Sequence, residues 1–114
     1  MMDYSLCNQT VTIYRRDEKG LQRKVLEGCY FAYRDEQKET ELGYFRQRPC
    51  LLILPAGVGD VRIGDKVYRG VGPSITASAW GSFLPSTVAG LSEINYVIPC
   101  YWDGELIHTE AGRK

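Results

Sequence analysis

One histidine, four cysteines and a run of carboxylates are the residues here whose chemistry could make a catalytic or metal site. A Ser–His or Cys–His nucleophile needs a histidine base that tertiary contacts place in a pocket. The single histidine, His108, falls near the C-terminal end in what reads as an edge strand. It is expected to be a surface or half-buried strand residue. Cys7, Cys29, Cys50 and Cys100 are widely and irregularly spaced, with no Cys-x-x-Cys pair. Structural zinc sites bring their ligands in close pairs along the chain, so no metal is expected. A disulfide framework accompanies a secretion signal. Residues 1–7 contain Asp3 and have neither a basic start nor an apolar run. The four thiols are therefore expected reduced and mostly buried, in a protein made in the cytosol. Asn8-Gln9-Thr10 matches a glycosylation acceptor, a coincidence without a secretion route.

Gly57-Val58-Gly59 and Gly70-Val71-Gly72-Pro73 invite a phosphate-loop reading. Neither is followed by Lys-Ser or Lys-Thr, and neither opens an evident helix, so both read as turns. The acids between residues 35 and 41 sit in a charged, exposed stretch. General acid–base catalysis prefers carboxylates whose surroundings shift their pKa in a cleft. No catalytic constellation emerges, and neither an enzyme nor a cofactor is expected.

Fourteen basic residues balance fourteen acidic ones, for a formal net charge of zero. Non-specific grip on nucleic acid needs a surplus of Lys and Arg. Two local clusters come nearest: Arg15 and Arg16 beside Tyr14, and Arg46 and Arg48 beside Tyr44 and Phe45. Small β-barrels bind single strands by stacking bases on aromatics over a basic groove. A small barrel binding single-stranded nucleic acid or a ligand is thus the alternative function. Zero net charge also gives little repulsion between copies.

The elements that would position these residues are short. The 114 residues suit one domain, 1–114, able to bury a core without staples. An apolar fraction of 44% and a charged fraction of 25% are ordinary for a folded chain and argue against disorder. No apolar stretch approaches the roughly 18 to 20 residues that cross a bilayer. Twelve glycines and five prolines cut the chain into pieces rich in β-branched and aromatic residues. The pattern predicts an all-β fold: a small antiparallel β-barrel or sandwich of about six to eight strands, with at most a short helical turn.

Residues 9–14 read as a strand, with Val11 and Ile13 on one face and Thr10, Thr12 and Tyr14 on the other. Residues 15–20 read as a turn and 21–27 as the return strand, with a mixed pattern that also admits one helical turn. Gly28 then marks a bulge before Cys29, Phe31 and Tyr33. Residues 50–54 read as a central strand buried on both faces. Residues 61–68 read as strand–turn–strand around Gly64-Asp65, and Asp103-Gly104 as a hairpin turn between 95–101 and 106–109. Residues 74–91 show no clear period, although Trp80, Phe83 and Leu84 need burial; Ser86 could cap a helical turn. Residues 111–114 read as a frayed tail.

Residues 34–49 form the most distinctive stretch: polar, long and closed by Pro49. Long loops in compact domains are uncommon and are often functional or disordered. The charge is acidic before Gly43 and basic after it.

Several stretches together resemble small neck and minor-capsid proteins of tailed phages and prophages. Tyr4-Ser5-Leu6-Cys7-Asn8-Gln9-Thr10-Val11-Thr12-Ile13-Tyr14 resembles their opening strand. Ile63-Gly64-Asp65-Lys66-Val67-Tyr68-Arg69-Gly70 resembles a hairpin of head–tail joining proteins. Tyr96-Val97-Ile98-Pro99-Cys100-Tyr101-Trp102-Asp103-Gly104 and His108-Thr109-Glu110-Ala111-Gly112 resemble a group of Gram-positive prophage proteins. The resemblance implies a structural virion protein made in the bacterial host cytoplasm, a stopper-type head–tail connector subunit between portal complex and tail. It implies a small β-barrel whose long loop projects, here residues 34–49. The implied subunit contacts are Asp35, Glu36, Lys38, Glu39, Glu41, Tyr44, Phe45, Arg46 and Arg48. The implied partners are portal or adaptor and tail components, and further copies in a homo-oligomeric ring that can fall back to monomer in isolation. Contact with nucleic acid is implied only for DNA passing through the channel, and membrane not at all. Split charge on the loop suits head-to-tail pairing of identical copies.

Overall fold

The computed structural model describes residues 6–33, 49–84, 88 and 90–113, and these are all-β. The strands are β1 (Gln9–Asp17), β2 (Gly20–Tyr33), β3 (Cys50–Pro55), β4 (Lys66–Arg69), β5 (Leu91–Glu93), β6 (Tyr96–Trp102) and β7 (Glu105–Arg113). A 3-10 helix, Ala77–Ser82, lies between β4 and β5. All pairings are antiparallel, in the order β5-β4-β1-β2-β3-β7-β6.

β5 and β6 are the two edges of this sheet, yet only Ile94 and Asn95 separate them in sequence. Three Cα–Cα steps reach at most about 11 Å. The sheet therefore has to curl until its edges approach, giving a half-barrel. The connector is tied to each half in turn: Ile94 N–H donates to the Asp65 carbonyl beside β4 at 2.9 Å, and Asn95 N–H to the Gly112 carbonyl of β7 at 2.7 Å.

The curl is built into β2. Gln9 pairs with Cys29 and Thr10 with Glu27, so Gly28 is an extra residue, and its φ of 81° suits glycine. The bulge expected from the sequence is there. Before it β2 pairs with β1; after it Tyr30–Tyr33 pair with β3. The bent strand thus serves both halves.

Inside the curl, Val11, Ile13, Leu26, Cys29, Phe31, Leu52, Leu54, Val61, Val67, Ile94 and Ala111 form the main core. A second cluster, Tyr14, Phe83 and Leu91, packs on the opposite face of β1 with Tyr68, Ile75, Trp80 and Val88 against it. Strand β1 alternates as predicted, but both its faces are covered. Residues 70–84 lie over the outer one.

Several expectations are corrected. Arg15, Arg16 and Asp17 continue β1, and the turn is only Glu18-Lys19, because Asp17 still pairs with Gly20. β3 is central, but Cys50, Leu52 and Leu54 are buried while Leu51 and Ile53 are half-buried, so its two faces are not alike. Residues 61–63 are not a strand; they lead into a turn closed by Asp65 N–H donating to the Arg62 carbonyl at 3.0 Å. Ala111, Gly112 and Arg113 are no frayed tail: β7 runs through them, held by β3 on one side and β6 on the other. Gly112 permits this close approach, since a Cβ there would collide with the Cys50 carbonyl. The strand β5 was not anticipated.

Candidate interaction surface

The nine residues expected to form a subunit-contact loop, Asp35, Glu36, Lys38, Glu39, Glu41, Tyr44, Phe45, Arg46 and Arg48, lie outside the described residues, as does Ser86. The remaining candidates are placed. His108 is buried, 8% exposed, in β7, which is flanked by β3 and β6 and is not an edge strand. Its cross-strand neighbours are Pro55 and Cys100. Cys29 and Cys50 are buried, Cys7 and Cys100 half-buried, and all are free thiols. Burial pushes the Cys29 thiol up to about 11, with Cys7 nearby adding to the effect. Among the described residues no group of three or more His, Cys, Asp or Glu could hold a metal ion. No helix among them is long and apolar enough to cross a membrane.

Of the basic cluster at Tyr14, Arg15 is held inward and Arg16 is exposed. Arg15 donates to the Asp65 carboxylate from Nε at 3.0 Å and from Nη2 at 2.8 Å. The same carboxylate accepts the Arg62 N–H at 2.9 Å, and Arg15 also reaches Asp60 at 3.4 Å. The bond to Asp65 raises the Arg15 pKa. The Tyr14 ring is fully buried, 4.7 Å from Phe83, and its hydroxyl donates to the Pro73 carbonyl at 2.5 Å. It offers no free face for a stacked base.

The glycine-rich stretch 70–73 is a strap over β1. The Thr12 hydroxyl donates to the Gly70 carbonyl and accepts the Gly72 N–H, both at 2.8 Å. Arg23 donates to the Gly72 carbonyl from Nε at 3.2 Å, and from Nη2 as well. Further on, Lys66 Nζ donates to the carbonyls of Trp80 at 2.9 Å and Phe83 at 2.6 Å, and sits 4.1 Å from the Trp80 ring centroid. Burial lowers the Lys66 pKa, and Glu93 opposite works against that shift. This polar group is buried and satisfied; the arrangement is an internal clamp.

The β6–β7 hairpin is different. Ile98 is 46% exposed, Tyr101 63%, Trp102 71% and Leu106 40%. Across the hairpin Tyr101 faces Leu106 and Trp102 faces Glu105, so its end carries Tyr101 and Leu106 on one face and Trp102 beside Glu105 on the other. The turn is tight: Asp103 and Gly104 have φ of 55° and 81°, both positive as in a two-residue hairpin of this kind. Asp103 and Glu105 are exposed and give the end a negative rim. β6 is an edge, but Pro99 in its middle lacks an N–H and blunts extension of the ladder. A partner would meet side chains, with aromatic anchors of the type enriched in protein interfaces. The sequence located this turn; the exposure of its tryptophan became visible only with the fold. A second apolar spot, Val25 at 38% and Val71 at 67% exposure, carried no sequence signal.

Compared with protein families, curated proteins and solved structures, the chain matches none.

Proposed function

We propose that this chain is a structural subunit of a tailed-phage particle, acting at the head–tail junction by protein–protein contact. The observation that carries the reading is a curled sheet, its two edges joined through Ile94 and Asn95, that presents a tight hairpin ending in exposed Tyr101, Trp102 and Leu106. A virion subunit needs rigidity and patches that become buried on assembly, and it needs no active site. The resemblance of the opening, middle and late stretches to neck proteins supplies the position in the particle. The stretch 34–49 is the proposed contact with portal and tail components.

The test is genetic and visual. A prophage whose copy lacks residues 36–46 is induced and its lysate is examined by electron microscopy. The expected result is a folded, soluble variant with unjoined heads and tails. Normal infectious particles from that deletion would overturn the assignment.

A further inference from the structure

Two separate patches on this molecule each join exposed apolar side chains to charges of opposite sign. The first is the Trp102 face of the hairpin end described above, with Glu105 opposite Trp102, Asp103 in the turn and no basic residue between positions 101 and 106. The second lies on the outer face of β1 and β2. Thr12 pairs with Val25 across the strands, and the Thr12 hydroxyl pins Gly70 and Gly72 on either side of Val71. Val25 and Val71 are thereby held next to the same threonine, and both are exposed. Arg23 clamps the Gly72 carbonyl from the same strand as Val25. Arg16 lies diagonally across from Arg23, since Arg16 pairs with Leu21 and Tyr14 with Arg23. Strand alternation puts Arg16, Arg23 and Val25 on one face. Glu27 shares that face but lies beyond Val25, away from the arginines.

We infer that the Val25–Val71 spot with Arg16 and Arg23 is the docking site for the Trp102 hairpin of a second copy of this chain. An apolar ring set between valines loses water, and the guanidinium groups meet Asp103 and Glu105 while offering a cation to the indole face. The zero net charge of the chain leaves no general repulsion to oppose the contact. The two patches are different surfaces, so the contact is head-to-tail: each copy gives one hairpin and receives another. It involves no residue between 34 and 48 and requires no particle, so it stands apart from the virion reading.

Complementation of two broken copies tests this. Wild-type protein is expected to gain weight-average mass with concentration in sedimentation equilibrium. Trp102→Ala removes the hairpin anchor, and Val71→Glu spoils the docking site; each alone is expected to stay monomeric. A 1:1 mixture is expected to form a dimer and nothing larger, because one intact hairpin still meets one intact site. Arg16→Glu is expected to weaken association at low salt, and adding Glu105→Arg to restore it. Trp102→Gln and Val25→Lys serve as a second pair if either first variant loses its wild-type melting transition. Wild-type protein that remains monomeric at every soluble concentration, variants that associate like wild type, or a mixture that stays monomeric would each overturn the inference.

Discussion

The two tryptophans sit in opposite circumstances. Trp80 belongs to the 3-10 helix in the stretch that covers β1, half-buried above the Lys66 ammonium, with its carbonyl engaged. Trp102 ends a hairpin and is 71% exposed. Around Trp80 the sheet has met its own covering: Tyr14, Thr12, Arg23 and Lys66 all reach across to residues 70–83. Around Trp102 there is a comparable supply of apolar surface and no described residue over it. One region spends its aromatic residues on the fold and the other keeps them available. A large exposed aromatic at a tight turn stabilises a contact with something else far better than it stabilises its own chain.

That contrast can be broken at several points. The largest effect is expected at Asp65, whose carboxylate holds Arg15 and the Arg62 N–H. Asp65→Ala strands a largely buried guanidinium and is expected to cost about 3–5 kcal/mol in urea unfolding. Next comes Lys66→Met, which keeps the stem but leaves the Trp80 and Phe83 carbonyls without their donor. A loss of about 1–3 kcal/mol is expected, with a shift in Trp80 fluorescence. A third effect is on pH. The folded Cys29 thiol keeps its proton up to about 11, against an ordinary value of 9.0. Between these values the unfolded chain binds fewer protons than the folded one, so stability falls as pH rises through this window. Tyr14, also raised by burial, adds to the fall above 10, while Lys66 works the other way below 10.5. Cys29→Ser is expected to flatten the slope measured by denaturation at pH 8.5 to 11. Smallest of all, Trp102→Ala is expected to change stability by no more than about 0.5 kcal/mol, the range of exposed sites. A large loss there would erase the distinction between the two tryptophans.

The sequence foretold what short-range chemistry determines. Alternation in β1, the bulge at Gly28 and the Asp103-Gly104 turn each follow from backbone preferences of a few adjacent residues. What it hid depends on distant partners. Arg15 and Arg16 look like a turn, yet β1 continues through them because β2 is long enough to pair there and Asp65 takes up the charge of Arg15. Ala111 and Gly112 look like a tail, yet small residues are what allow β7 to lie against Cys50. Residues 74–84 have no period because they cover the sheet through side chain–carbonyl bonds rather than through a repeating face. Of the interaction surface, the hairpin was legible and the Val25–Val71 spot was not, since the two valines meet only through Thr12.

Acrylamide quenching of Trp102 fluorescence, in a Trp80→Phe background and across a concentration series, probes the availability of the hairpin most directly. Strong quenching in dilute solution that declines as the protein is concentrated is the predicted result. Protection of Trp102 in dilute solution, or quenching that does not change with concentration, would contradict the account.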